Sequence, residues 1–74
     1  MARLIRMDQT GHSTLAEWTP SDQAAFERAL VEFRHGLDAG YIGVRSEGEG
    51  VATQVSELPR EADLVILRRP IAGG

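Results

Sequence analysis

The sequence predicts an α+β domain in which one helix packs across one face of a sheet of four or five strands. Two strand-turn-strand patterns flank a single stretch of helical periodicity. The only continuous apolar run of the chain, residues 64–67, follows the second of them. Because such a run is typical of a strand in the middle of a sheet, the last strand is expected to lie beside the first strand and parallel to it.

The first hairpin is predicted from residues 2–8 and 13–18, which have strand-like compositions. Residues 9–12 separate them, and Gly11 supplies the positive φ that a hairpin turn needs. Trp18 is the only tryptophan of the chain. We expect it to anchor the core.

A helix is predicted over residues 20–39. Thr19 is the expected N-cap, with Pro20 at the first helical position and Ser21 as a rival cap. Gly40 is the expected stop. An apolar stripe follows at helical spacing and comprises Phe26, Ala29, Leu30, Phe33 and Leu37. The residues expected to meet in one core are Trp18, Phe26, Leu30, Phe33 and Ile66.

The second hairpin is predicted from residues 41–46 and 51–56, with a turn at 47–50. After a connection without strand pattern, the apolar run forms the final strand. Pro70 ends its pairing, because proline has no N–H to donate to a neighbouring strand. The predicted organisation is therefore one domain over residues 1–69 and a flexible C-terminal tail over residues 70–74.

Composition excludes several classes of function. The chain of 74 residues has no cysteine, so it has no disulfide, no thiolate metal site and no cysteine nucleophile. His12 and His35 stand alone, and no pattern indicates catalysis, so neither a metal, a cofactor nor an enzyme activity is expected. A net charge of −3 is unsuited to nucleic acid. No apolar run is long enough for a membrane span, and the expected location is cytoplasmic.

The end of the sequence carries the strongest functional signal. Gly73 and Gly74 lack Cβ atoms, so their backbone can thread a narrow slot and the terminal carbonyl is unhindered. Such a carboxylate is suited to activation by ATP and transfer to a nucleophile. The residues before it are candidates for recognition by the activating enzyme: Arg68, Arg69, Pro70, Ile71 and Ala72. All eight basic residues of the chain are arginine, so it offers no lysine amine.

The chain resembles ubiquitin-like proteins of the β-grasp fold over essentially its full length. The resemblance rests on the Thr10-Gly11 turn, the segment 18–22 with its Pro-Ser-Asp, the run 64–68 that passes from apolar residues into arginine, and Gly73-Gly74. It implies adenylation of Gly74 by a ubiquitin-activating-type enzyme and transfer through thioesters to a target protein. A conjugating enzyme and a deconjugating protease are further implied partners, as is a place in a bacterial antiphage defence operon.

Two alternatives remain open at this point. The ending 70–74 is similar to that of bacterial sulfur carriers such as the small subunit of molybdopterin synthase. These share the fold and the adenylated glycine but carry sulfur there as a thiocarboxylate for biosynthesis. The other alternative is a β-grasp interaction module with an inert tail. The loop before the last strand is shorter than in ubiquitin, so a partner surface built there is not carried over.

Overall fold

The computed structural model describes residues 1–48 and 50–70. Within these residues the chain forms one helix and five strands. The elements, in chain order, are β1 (Ala2–Asp8), β2 (Gly11–Trp18), α1 (Gln23–Asp38), β3 (Ile42–Ser46), β4 (Ala52–Val55) and β5 (Leu64–Arg68).

The five strands form one mixed sheet in the order β2-β1-β5-β3-β4. Strand β5 pairs in parallel with β1 and antiparallel with β3, and the two hairpins β1-β2 and β3-β4 are antiparallel. The predicted central position of the last strand, parallel to the first, is confirmed. Strand β2 begins at Gly11, earlier than predicted, and its register with β1 shifts between Leu4 and Ile5.

The start of the helix differs from the prediction. Asp22 is the N-cap, and its Oδ1 accepts a hydrogen bond from the Ala25 N–H at 3.0 Å. Thr19 as N-cap and Pro20 as first helical residue are wrong, because the Asp22 N–H bonds the Thr19 carbonyl and closes a turn before the helix. The stop at Gly40 is confirmed by its φ of +96° and its N–H bond to the Leu37 carbonyl.

The core lies between α1 and one face of the sheet. Its members include Trp18, Phe26 and Phe33 from the predicted set, together with Leu4, Val65 and Leu67. The prediction was wrong for Leu30, which is 37% exposed, and for Ile66, which is half-buried. Since successive strand residues face opposite sides, Val65 and Leu67 take the core face and Ile66 the other.

Arg60 connects the segment between β4 and β5 to the region around the start of the helix. Its carbonyl accepts the Trp18 Nε1–H at 2.9 Å, and its guanidinium lies 4.3 Å from the centroid of the Phe26 ring. The same guanidinium donates to the Pro20 carbonyl and to the Gln23 side chain. The contacts of one arginine thus help to hold in place a segment without regular structure.

Candidate functional site

The predicted functional residues begin at the end of the central strand. Arg68 is the last residue of β5, where it lies between Met7 of β1 and Ile42 of β3. Its side chain is exposed, as are those of Arg69 and Pro70. The other predicted site residues, Ile71, Ala72, Gly73 and Gly74, lie outside the described residues, as does most of the predicted tail.

The two arginines before Pro70 have different surroundings. Arg69 places its guanidinium carbon 5.2 Å from the centroid of the Tyr41 ring. Tyr41 borders Leu67 and Gly36 on the helix side of the sheet. Arg68 shares the opposite face with Ile66, because strand residues two apart face the same side. A cation-π contact at an exposed site contributes about 0.5–1 kcal/mol, enough to bias the direction of the backbone at Arg69.

Tyr41 was not singled out from the sequence as a site residue. Nothing in the local pattern indicates its contact with Arg69, because the two residues meet only through the pairing of β3 with β5. The register of Ile42 opposite Arg68 places the residues just outside that pair side by side. The contact could have been predicted only from a correct register between β3 and β5.

Asp8, at the end of β1, is the third charged group near the end of β5. The Thr10 hydroxyl donates to its Oδ1 at 2.6 Å and the Thr10 N–H at 2.8 Å, and these bonds hold the pKa of the carboxyl below its usual range. The positive charges of Arg6 and Arg69 act in the same direction, and the Arg6 Nε lies 3.9 Å from Oδ2. Asp8 therefore remains ionised at neutral pH.

A shallow cavity of about 310 Å³ lies between the end of β5 and the β1-β2 turn. It is lined by Met7, Asp8, Gln9, Arg68 and Arg69. These groups can donate and accept hydrogen bonds and can pair with charges of either sign. None of these five side chains is a nucleophile paired with an adjacent base.

The face of the sheet opposite the helix carries an apolar patch. Ile5, Ile66 and Val44 lie side by side across β1, β5 and β3. Met7, Ile42 and Leu64 extend this row along the same strands, and all six belong to the same face by strand alternation. We call these six residues the open-face patch. Within residues 1–48 and 50–70, the only helix lies on the other face of the sheet and does not cover this patch.

The described residues contain no group of three His, Asp or Glu side chains arranged to hold a metal ion. No helix in this part of the chain is both long and apolar enough to cross a membrane. No family model, curated protein or solved structure matches the sequence.

Proposed function

We propose that the chain is a β-grasp protein of the ubiquitin-like class, a modifier whose Gly74 carboxylate is joined to a target protein. The observation that carries the proposal is the position of β5, which is paired on both sides and leads directly into the segment that ends in Gly73-Gly74. The strand order and the single helix are consistent with a β-grasp-like fold.

A central strand gives the reactive segment a rigid base. Hydrogen bonds to both β1 and β3 hold β5 in place up to Arg68, and Pro70 cannot continue the ladder. From Pro70 to Gly74 an extended chain can reach about 15 Å. That reach would let the glycine pair enter an enzyme while the domain stays folded outside it.

The proposed chemistry is one adenylylation followed by three acyl transfers. The Gly74 carboxylate attacks the α-phosphorus of ATP, which gives an acyl-adenylate and releases pyrophosphate. A cysteine thiolate of the activating enzyme then displaces AMP and forms a thioester, which passes to a cysteine of the conjugating enzyme. A target amine finally attacks the thioester carbonyl, forms an amide and releases the thiol. The chain is the substrate in every step.

The surfaces at the end of β5 suit the recognition steps. The open-face patch supplies apolar area, and Arg68 lies at its edge with an exposed side chain. We assign these surfaces to the activating enzyme, the conjugating enzyme and the deconjugating protease. The reacting carboxylate is the same whether Gly74 is the encoded end or is exposed by that protease.

The direct test is to express the tagged chain in its source cells and to purify it under denaturing conditions. Mass spectrometry of tryptic peptides should find the end of the chain in amide linkage to lysines of other proteins. Deletion of Gly74 and the substitution Gly73→Val should abolish the adducts without changing the unfolding temperature. Equal adduct yield from the deletion variant would place the chemistry elsewhere.

A second candidate, a sulfur carrier, is favoured by the tail 70–74 and its similarity to such proteins. In that case the adenylate would be attacked by a sulfur donor, and Gly74 would bear a thiocarboxylate. The same purification separates the two functions, because intact-mass analysis would show one oxygen replaced by sulfur and no protein adduct. Absence of both products would favour the interaction module.

The absence of lysine adds a constraint specific to the modifier. No ε-amine exists within the chain, so an amine-linked polymer could grow only through the α-amine of Met1. We expect a single copy at each target site. A base-stable ladder that persists after acetylation of Met1 would contradict this expectation.

A further inference from the structure

The two edges of the sheet are protected to different degrees. The edge strand β2 carries the charged Glu17 and an irregular register against β1. The other edge strand, β4, belongs to the segment 51–56, which contains no charged residue and no proline. Proteins usually guard exposed edges with charges, bulges or proline, because unpaired backbone groups attract another strand.

The outward backbone groups of β4 can be identified from its pairing with β3. The Glu47 N–H donates a hydrogen bond to the Val51 carbonyl. The residues of β4 that bond β3 are therefore at every second position from Val51, namely Thr53 and Val55. In an antiparallel pair the intervening residues direct their N–H and C=O groups away from the partner. These residues are Ala52 and Gln54, and no backbone group of the described chain bonds them on the outer side.

A groove lies between α1 and residues 56–58, which directly follow β4. It has a volume of about 590 Å³, and its apolar lining includes Phe26, Phe33 and Leu58. Leu30 borders it and is the partly exposed helix residue that the sequence placed in the core. A strand added to β4 would point alternate side chains to the helix side of the sheet, toward this groove.

The charges around the groove favour a basic occupant. Asp38 and Glu57 line it against a single cation, Arg34. Within residues 1–48 and 50–70, neither carboxylate takes part in an ion pair. A second copy of the chain would bring the same acidic groups and another net charge of −3.

We propose that β4 and the groove form a docking site for an extended segment of a partner protein. The segment adds to the sheet as a sixth strand, inserts apolar side chains at alternate positions into the groove and carries basic residues that pair with Asp38 and Glu57. The backbone groups of Ala52 and Gln54 supply its main-chain bonds. The site is formed by residues that do not belong to the tail, and it does not depend on activation of Gly74.

The test uses the whole chain, labelled with ¹⁵N, and a capped probe peptide. The probe alternates valine and threonine over about six residues, a length that spans β4, and has arginine at both ends. Titration should give saturable amide shifts confined to residues 50–58 and to the Leu30 side of α1. A second probe with glutamate at both ends should bind several-fold more weakly.

Variants of the protein separate main-chain pairing from groove contacts. Gln54→Pro removes an outward N–H without removing a bond to β3, and should weaken the probe at least about tenfold. Leu30→Ala should weaken it about tenfold by removing apolar contact. Val31→Ala is the matched control, since Val31 is exposed on the same helix but does not line the groove. Glu57→Gln should weaken the arginine probe about two- to fivefold.

Each contrary result overturns the proposal. If the shifts map to β2 or to the open-face patch, the site is misplaced. If folded Gln54→Pro binds the probe as the parent does, no strand is added. If the arginine-ended and glutamate-ended probes bind equally well, the partner segment need not be basic and that part of the proposal is wrong. Amide shifts at β4 that depend on protein concentration without a probe would make a second copy the occupant.

Discussion

The substitution Gly36→Ala tests the packing of α1 on the central strand, because two effects of opposite sign act at this position. Gly36 is buried in the last turns of the helix. A Cβ placed there would collide with the Cδ1 methyl group of Leu67 and lie in tight contact with its Cδ2 methyl group, and Leu67 is itself fully buried. The Gly36 carbonyl also accepts bonds from the N–H groups of Ala39 and Tyr41, so the helix end cannot easily rotate away.

The magnitudes decide the expected sign. Alanine is favoured over glycine inside a helix by about 1 kcal/mol. Overpacking of a close-packed core costs about 1–3 kcal/mol. The difference is a net loss centred near 1 kcal/mol, which lowers the unfolding temperature of a domain of this size by about 4–8 °C. A peptide covering residues 23–38 feels only the first effect, so the same substitution should raise its helix content.

A double-mutant cycle with Leu67→Val identifies the cause of the loss. Alone, Leu67→Val should cost about 1 kcal/mol by removing buried apolar volume. In the Gly36→Ala background it should cost much less, because it removes the colliding methyl groups, and the coupling should be about 1 kcal/mol. Urea denaturation followed by Trp18 fluorescence measures all four free energies. A rise in stability for Gly36→Ala, or strict additivity of the two changes, would refute the packing argument.

Three further predictions concern charged groups. Asp8→Asn should lower stability at neutral pH. The pKa of Asp8 is lowered in the folded state. Its contribution to the free energy of unfolding is therefore fully present above the unfolded pKa near 3.9 and is lost as pH falls through the folded pKa. Denaturation curves of parent and variant should converge in acid. Arg60→Ala should cost about 1–2 kcal/mol by removing a cation-π contact and hydrogen bonds, and Arg60→Lys should recover only part of this in the same assay. Replacing both Arg68 and Arg69 by glutamate should slow association with the activating enzyme and weaken its salt dependence; unchanged kinetics across salt would remove these arginines from recognition.

The boundary of the helix illustrates how far local patterns reach. The apolar spacing placed Phe26 and Phe33 correctly in the core, and Gly40 correctly marked the end. The start was misplaced because Thr19, Ser21 and Asp22 are all chemically able to cap a helix. Which of them does so depends on where the turn after β2 closes, and the bond from the Asp22 N–H to the Thr19 carbonyl closes it just before the helix.

The candidate site was predictable in part. Residues 64–68 and Pro70 indicate a buried strand that must stop, so the exposed position of Arg68 and Arg69 follows from the sequence. The contact of Arg69 with Tyr41 and the nearby carboxylate of Asp8 do not follow from the sequence. These residues lie at the ends of three strands that are distant along the chain. Likewise, only the paired sheet shows that β4 is an edge and that Leu30 faces a groove.

The sequence by itself determined the order of the elements, the central place of the last strand, the positive φ of Gly11 beside the first turn and the glycine pair beyond Pro70. These depend on local properties: apolar periodicity, backbone freedom at glycine and the missing N–H of proline. The tertiary structure alone decided which apolar residues face the helix. It placed Val65 and Leu67 under α1 and left Ile66 in the open-face patch. Successive side chains of a strand point to opposite faces, so a continuous apolar run places apolar side chains on both. Only the packing of the helix on one face makes that face the core.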